Sequence, residues 1–321
     1  MTTPVPVTHQ DGDSAKGVGV APAPHPLLAR LRGIRFDRYV GYVFVAPWVI
    51  AFLCFELIPT VAAFGYSLTN WSVVGEATFI GFANYQEMFT RDRLFGLSLY
   101  NTLYYAIFSV PLTVTAGFLL AMLLNAKVRG QTVFRTLFYL PALIPTVAGA
   151  IVWLWIFDTR NGIFNFFITL FGGDPIRWLT SPAWSKPALI IMSLWTTGAG
   201  MVIYLAGLQN IPQELYEAAE VDGASGWHKL FRITIPLMTP TIFFNLLMGM
   251  INSFQVFNVA FVMTGGGPVN STLFYMLHIY ENAFTHWRMG YASALSVILF
   301  LLVLVLTLVV NRTSKRWVFY G

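Results

Sequence analysis

Residues Glu217 to Pro236 read EAAEVDGASGWHKLFRITIP, a charged, amphipathic island between two apolar runs, Pro187 to Leu208 and Leu237 to Val262, that hold no Asp, Glu, Lys or Arg. A short polar island bounded by spans of that length is the mark of a polytopic membrane protein with a folded connection outside the bilayer. Pro212 suits the first turn of a helix, Asn210 can cap it, and Glu214 lies near its positive end. That helix presents Leu215, Ala218 and Ala219 on one face and is predicted to stop at Gly223, a residue able to take the left-handed conformation common at helix ends. A second short helix is predicted after Ser225, packing Trp227, Leu230 and Phe231 toward the bundle and ending before Pro236. Two helices joined by glycine make a rigid knob. The alternative is an amphipathic helix lying on the membrane, but Ala218 and Ala219 offer lipid little surface and suit close approach to another protein.

Working outward, composition agrees. The chain of 321 residues is 56% hydrophobic and 10% charged, against about 25% charged in ordinary soluble chains. Further uncharged runs are Tyr39 to Phe55, Leu99 to Asn125, Thr136 to Phe157 and Tyr291 to Val310. Each is near or above the ~20 residues a helix needs to cross the hydrocarbon. The prediction is an all-α fold with six transmembrane helices. At ~1.5 Å per residue the first extends to about Thr60, leaving Glu56 near the far interface. Residues 1–35, polar and rich in Pro, Gly and Ala, read as a disordered tail. The transmembrane body is then 36–315, with its polar loop at 209–236 and a tail at 316–321. The first apolar run is too long for a cleavable signal. Cys54, the single cysteine, reads as packing. Pro47, Pro111, Pro141, Pro145 and Pro240 fall within or at the start of spans, which a packed bundle tolerates.

Orientation follows from Lys and Arg. Five lie before the first span (Lys16, Arg30, Arg32, Arg35, Arg38), three at Lys127, Arg129 and Arg135, two in the knob at Lys229 and Arg232, and three at Arg312, Lys315 and Arg316. The other connections hold six: Arg91, Arg93, Arg160, Arg177, Lys186 and Arg288. The bias places both termini and the knob in the cytoplasm of a multi-pass plasma-membrane protein. The net charge of +5 then reflects topology, not nucleic-acid binding.

Several chemistries find no residues to perform them. None of the five lysines follows a glycine, so there is no G-x-x-x-x-G-K-[ST] phosphate loop. The uncharged spans lack the ionisable relays of an ion-coupled carrier. His278 and His286, eight apart, read as polar loop residues and not as a metal site. No nucleophile with a base is evident, and Asn70-Trp71-Ser72 and Asn270-Ser271-Thr272 are chance triplets. The expected cofactors are none: no catalytic and no metal residues. One polar feature lies within a span. At ~100° per residue, Asn245, Asn252, Gln255 and Asn258 fall within an arc of about 140° on one side of the fifth helix. They either bond between helices or face a water-filled cavity, where amides can both donate to and accept from sugar hydroxyls.

The knob, with Tyr42 through Trp71, FIGFANY at Phe79 to Tyr85, NTLYYAIFSVPL at Asn101 to Leu112, FRTLFYLP at Phe134 to Pro141, LAGLQNIPQELYEAAEVDGA at Leu205 to Ala224 and MTGGGP at Met263 to Pro268, resembles the carbohydrate-uptake branch of permease subunits of bacterial ATP-binding cassette importers. The short words are individually weak and their shared order, over roughly 39 to 315, is specific. Ile235 stands where that loop usually has Leu, a shape-tolerant exchange. The resemblance implies a sugar or oligosaccharide channel half, a heterodimer with a second permease, two ATPase copies that bind ATP and Mg on the cytoplasmic side, and an extracytoplasmic solute-binding protein. It implies ATPase coupling through Glu217, Ala218, Ala219, Asp222, Gly223, Ile233 and Pro236. It also implies sugar contacts on the fifth helix and the one before it, adding Ser193 and Thr197 around Trp195. Gly265 to Pro268 is predicted to turn on the outer face near the binding protein. The alternatives are a glycerol 3-phosphate or polyol permease, an ion-coupled sugar carrier, and a non-transporting receptor or scaffold. Spans without Arg or Lys favour a neutral sugar over an anion.

Overall fold

The computed structural model describes residues 36–126 and 129–319. The expected tail over 1–35 and Lys127 lie outside them. Two compact units are present, one through Pro59 and one from Thr60. The first consists of α1 (Phe36–Phe52), which carries Pro47, followed by a π-turn at Leu53–Leu57 and the start of α2 (Ile58–Tyr66). The apolar helical run Gly41–Tyr66 is long enough to cross a membrane and passes beyond the expected end at Thr60. Cys54 is exposed, not packed as expected.

The second unit is built around α4 (Arg93–Asn125), six residues longer at its start than the apolar run that signalled it. Asp92 caps it, accepting from Leu94 N at 2.8 Å and Phe95 N at 3.1 Å. The other Asp92 oxygen accepts from the Tyr291 hydroxyl at 2.6 Å and pairs with His278 Nε2 at 2.9 Å. Burial by itself pushes the Asp92 carboxyl up, but the hydrogen bonds from Tyr291 and His278, attraction to His278 and the Phe95 N–H together hold it below the usual carboxylate range. His278 is therefore no loop residue: it is buried on α14 (Tyr275–Tyr280).

Between these lie α5 (Gln131–Tyr139), a 3₁₀ turn (Leu140–Leu143), α6 (Thr146–Ile156), α7 (Ile163–Leu170), α8 (Pro182–Trp195) and α9 (Gly198–Gln209). The third and fourth expected spans are both broken. Gln131–Leu143 and Thr146–Ile156 meet at 101°, and Pro182–Trp195 and Gly198–Gln209 at 46°. Pro145, extended at ψ 134°, explains the first break. The second lets the α9 backbone approach α5, where a Cβ on Gly198 would strike the Phe138 carbonyl. Lys186 lies inside α8, so that span is not free of cations. Its ammonium donates to Asn101 Oδ1 at 2.9 Å and sits over Tyr100 and Tyr104, 4.9 Å from each ring centroid.

The chain continues through α10 (Gln213–Val221), α11 (Gly226–Lys229), a π-turn (Leu230–Thr234), α12 (Ile235–Phe254), α13 (Asn258–Met263), α14 with a π-turn at Glu281–Thr285, and α15 (Met289–Ser314); α3 (Ala83–Thr90) precedes α4. Among the described residues, four helices are long and apolar enough to cross a membrane, or up to six if each bent pair counts as one span. Among the described residues there is no β-strand, only a bridge between Thr69 and Phe79. Helix α4 packs against α8, α9, α12 and α14, which brings its polar residues Ser109 and Thr113 beside those of α8, α9 and α12.

Candidate functional sites: a polar cavity and a helix–glycine–helix knob

Where α4, α8, α9 and α12 converge they leave a cavity with two lobes. One is about 440 Å³ and is lined by Ser193, Thr197, Asn245 and Asn252 among others. The second, about 500 Å³, is lined by Ser193, Asn252, Gln255 and Asn258. Tyr105, Ser193, Thr196 and Asn252 belong to both. All six residues expected along a sugar path are thus gathered, although not on one helix. Helix α12 ends at Phe254, Gln255 is its C-cap, and Asn258 opens α13. The expected arc across a continuous Leu237–Val262 helix does not exist; the break turns Gln255 and Asn258 into the second lobe. Ser253, off that arc, nevertheless borders the first lobe and donates to Met250 O at 2.7 Å.

The hydroxyls of Ser193, Thr196 and Thr197 donate to their own helix carbonyls at Ile190, Ser193 and Leu194, at 2.6, 3.1 and 2.8 Å. Their oxygens can also accept, and that of Ser193 is shared with the Tyr105 hydroxyl. Asn245 Nδ2 donates to Thr241 O at 3.0 Å, leaving its Oδ1 beside Gly200. The amides of Asn252, Gln255 and Asn258 make no side-chain hydrogen bond among the described residues, which leaves their donors and acceptors for a guest. Neither lobe is lined by Asp, Glu, Lys, Arg or His. The sequence reading missed the α4 wall. Tyr105, Ser109 and Thr113 are spaced by four in an apolar helix, a polar stripe that could have been found by the same periodicity.

The knob forms, with several departures from the expected plan. Helix α10 runs to Val221, Gly223 takes φ +74°, and Ala224 N bonds back to Ala219 O at 2.8 Å, the 6→1 bond of a Schellman stop. Ser225 caps the second helix through His228 N at 3.3 Å. Asn210 instead closes α9 as its C-cap, and Pro212 stands at the cap position of α10. The second helix does not end before Pro236. The π-turn at Leu230–Thr234 absorbs the junction, and the helical path Gly226–Phe254 is continuous from knob to cavity. Lys229 pairs with Glu220 at 2.6 Å, and the Tyr216 hydroxyl meets Thr234 Oγ1 at 2.9 Å, tying the two helices together. The hydrogen bond from Lys229, and then its charge, hold the Glu220 carboxyl below its usual range. Trp227 and Phe231 do not pack inward: both are exposed and stack on each other, with ring centroids 6.1 Å apart. Glu217, Ala218, Asp222 and Gly223 are exposed, whereas Ala219, Ile233 and Pro236 are half-buried.

Gly265 to Pro268 does end α13 in a turn, held by Thr272 N to Gly266 O at 3.1 Å and by Thr272 Oγ1, which reaches Gly267 O at 2.6 Å and Thr264 Oγ1 at 2.7 Å. Among the described residues no group of three or more His, Cys, Asp or Glu could hold a metal.

A helical, multi-span chain that walls a polar cavity and sends an unbroken helix from it to a polar knob is a membrane transport subunit. Residues 113–318 match the family described as the binding-protein-dependent transport system inner membrane component, and the chain belongs to that family. It is an inner-membrane transport permease. It is similar to a probable ABC transporter permease protein, YesP, of Bacillus subtilis, 40% identical over 91% of this chain and 96% of that protein. The trehalose/maltose transport system permease protein MalF of Thermococcus litoralis is 34% identical over 87% of this chain and 95% of that one. Among solved structures, a chain of a bacterial alginate ABC transporter in complex with an alginate pentasaccharide-bound periplasmic protein aligns with a TM-score of 0.78, at 26% identity, over 88% of this chain and 96% of that one.

Proposed function

We propose that this chain is one of two similar permease subunits of an ATP-driven importer and supplies half of the translocation channel for a neutral sugar or oligosaccharide. The observation that carries the substrate class is the cavity wall: hydroxyls and unpartnered amides, with no charged side chain in either lobe. Groups of this kind match sugar hydroxyls, which also both donate and accept. A carboxylate or phosphate would lose its hydration there without gaining a cation. Several curated relatives are carbohydrate permeases in name, including a lactose and an arabinooligosaccharide transport system permease protein. Lys186, the cation closest in kind to an anion site, is occupied by Asn101 and two tyrosines and lines neither lobe.

In this reading the termini and the knob face the cytoplasm, and Glu217, Ala218, Ala219, Asp222, Gly223, Ile233 and Pro236 form the contact with a separate ATPase dimer, which binds ATP and Mg. The exposed helix end at Glu217 to Gly223 and the continuous path to Asn245 and Asn252 support it. An extracytoplasmic binding protein delivers the sugar beside the Gly265–Pro268 turn. The test is uptake by the complete complex in vesicles, comparing neutral sugars with their uronate or phosphorylated counterparts. Neutral members should be taken up only when ATP is present. Uptake of the anions alone would favour a glycerol 3-phosphate-like substrate, and ATP-independent, ion-driven uptake would overturn the importer reading.

A further inference from the structure

Helix α7 (Ile163–Leu170) carries two stripes of opposite fate. Phe164 and Asn165 face the protein. Phe164 meets Trp153, Phe157 and Trp178 edge-on, with centroids 5.9, 5.3 and 5.8 Å away. Asn165 is buried, its Nδ2 donating to Thr159 O at 3.1 Å and Ile176 O at 2.9 Å, its Oδ1 accepting from Ile176 N and the Trp178 indole. These contacts fix the helix's rotation. The other stripe is Ile163, Phe166, Phe167, Leu170 and Phe171, at i, i+3, i+4, i+7 and i+8, and every member is 50% to 86% exposed.

We propose that this stripe lies in a lipid surface, at the boundary between headgroups and acyl chains, and makes α7 an interfacial anchor. Water is a poor occupant for a helix held so firmly with five large apolar side chains outward. At ~150–250 Å² per aromatic ring and roughly half to four-fifths of that exposed, the stripe presents ~500 Å². A protein partner needs ~800 Å² on each side for a stable contact. Lipid has no such threshold, since each apolar side chain contributes independently. The stripe also continues an established apolar surface. Helix α7 packs beside the membrane helix α6, whose last turn exposes Trp155, and charged residues bound the stripe at Asp158 and Arg160 before it and Asp174 and Arg177 after it. The anchor is joined to the cavity through rings, since Phe164 touches Trp153 and Trp153 touches Trp195 at 6.1 Å, a lining residue of the second lobe.

The test uses the complete transporter in phospholipid vesicles, with Cys54→Ser as background and one spin label at a time at Phe166→Cys, Phe167→Cys or Leu170→Cys, and at Asn161→Cys and Asp174→Cys as flanks. Labels on the stripe should collide more with dissolved oxygen than with a water-soluble nickel chelate, by severalfold, and the flanking labels should show the reverse. Nickel access all along the stripe would overturn the proposal in favour of water. Immobilised labels closed to both would overturn it in favour of a protein partner. The unsubstituted complex gives a second reading: a photoactivatable phospholipid should leave adducts on the peptide spanning 163–171, and their absence there, with adducts on α15, would also overturn it.

Discussion

Gly223 is the residue on which the knob turns. Its φ of +74° is one that side chains with a Cβ adopt at a cost of ~1–2 kcal/mol. Open space surrounds it, so a substitution there strains the backbone without a clash. Gly223→Val should leave insertion intact while lowering transport, and Glu217→Lys should weaken co-purification with the ATPase; normal uptake and normal co-purification of both variants would refute the coupling assignment. Asp92 offers a second single-residue test. Asp92→Ala removes the cap of α4 and strands Tyr291 and His278. A lost cap alone costs ~0.5–2 kcal/mol, seen as a lower midpoint for thermal unfolding in detergent. The pH dependence follows from the lowered folded-state value. Its contribution is complete above the ordinary carboxylate value of 3.8 and is lost as pH falls through the lower folded one. The wild type should therefore lose stability on acidification below about pH 4 more steeply than Asp92→Asn.

At the scale of elements, what matters is the helical path Gly226–Phe254. In the proposed importer, a helix that runs without a stop from the Trp227 turn to Asn252 would carry a displacement of the knob to the cavity wall. Inserting two glycines after Thr234 should cost ~2 kcal/mol of helix propensity and reduce sugar imported per ATP hydrolysed severalfold, with basal hydrolysis retained. Unchanged stoichiometry would show that the coupling runs elsewhere. The Glu220–Lys229 pair is a weaker lever. Solvent screens this exposed ion pair, so Lys229→Met should be nearly silent in stability, whereas Tyr216→Phe unlinks the buried Thr234 hydroxyl. In the cavity, Asn252→Ala or Gln255→Ala should impair uptake or alter sugar preference with assembly and basal ATPase near normal. Normal transport by both would reduce these amides to packing.

At the scale of the whole molecule, the chain should be inert by itself. Purified without partners and placed in vesicles, it should neither hydrolyse ATP nor take up sugar, because its 321 residues hold no phosphate loop and, in the proposed importer, the channel is completed by a second permease. Robust activity of either kind would sink the proposal. Membrane class, all-α architecture and the knob were legible in the amino-acid order, because lipid demands long uncharged helices and glycine, proline and capping residues act over a single turn. So was the amide set, since an Asn within an apolar run stands out whatever surrounds it. The breaks at Pro145, Thr196 and Gln255 were not, nor the burial of His278, the outward stack of Trp227 on Phe231, or the joining of Gly226 to Phe254. Pro145 marks a local break, but elsewhere local propensity is nearly balanced and packing decides: the bend before Gly198 brings α9 against α5, and with α12 ending at Phe254, Gln255 as its C-cap and Asn258 at the start of α13 line the second lobe. Which residues share a cavity is a question of contacts between elements far apart in sequence, and those are decided by the tertiary structure.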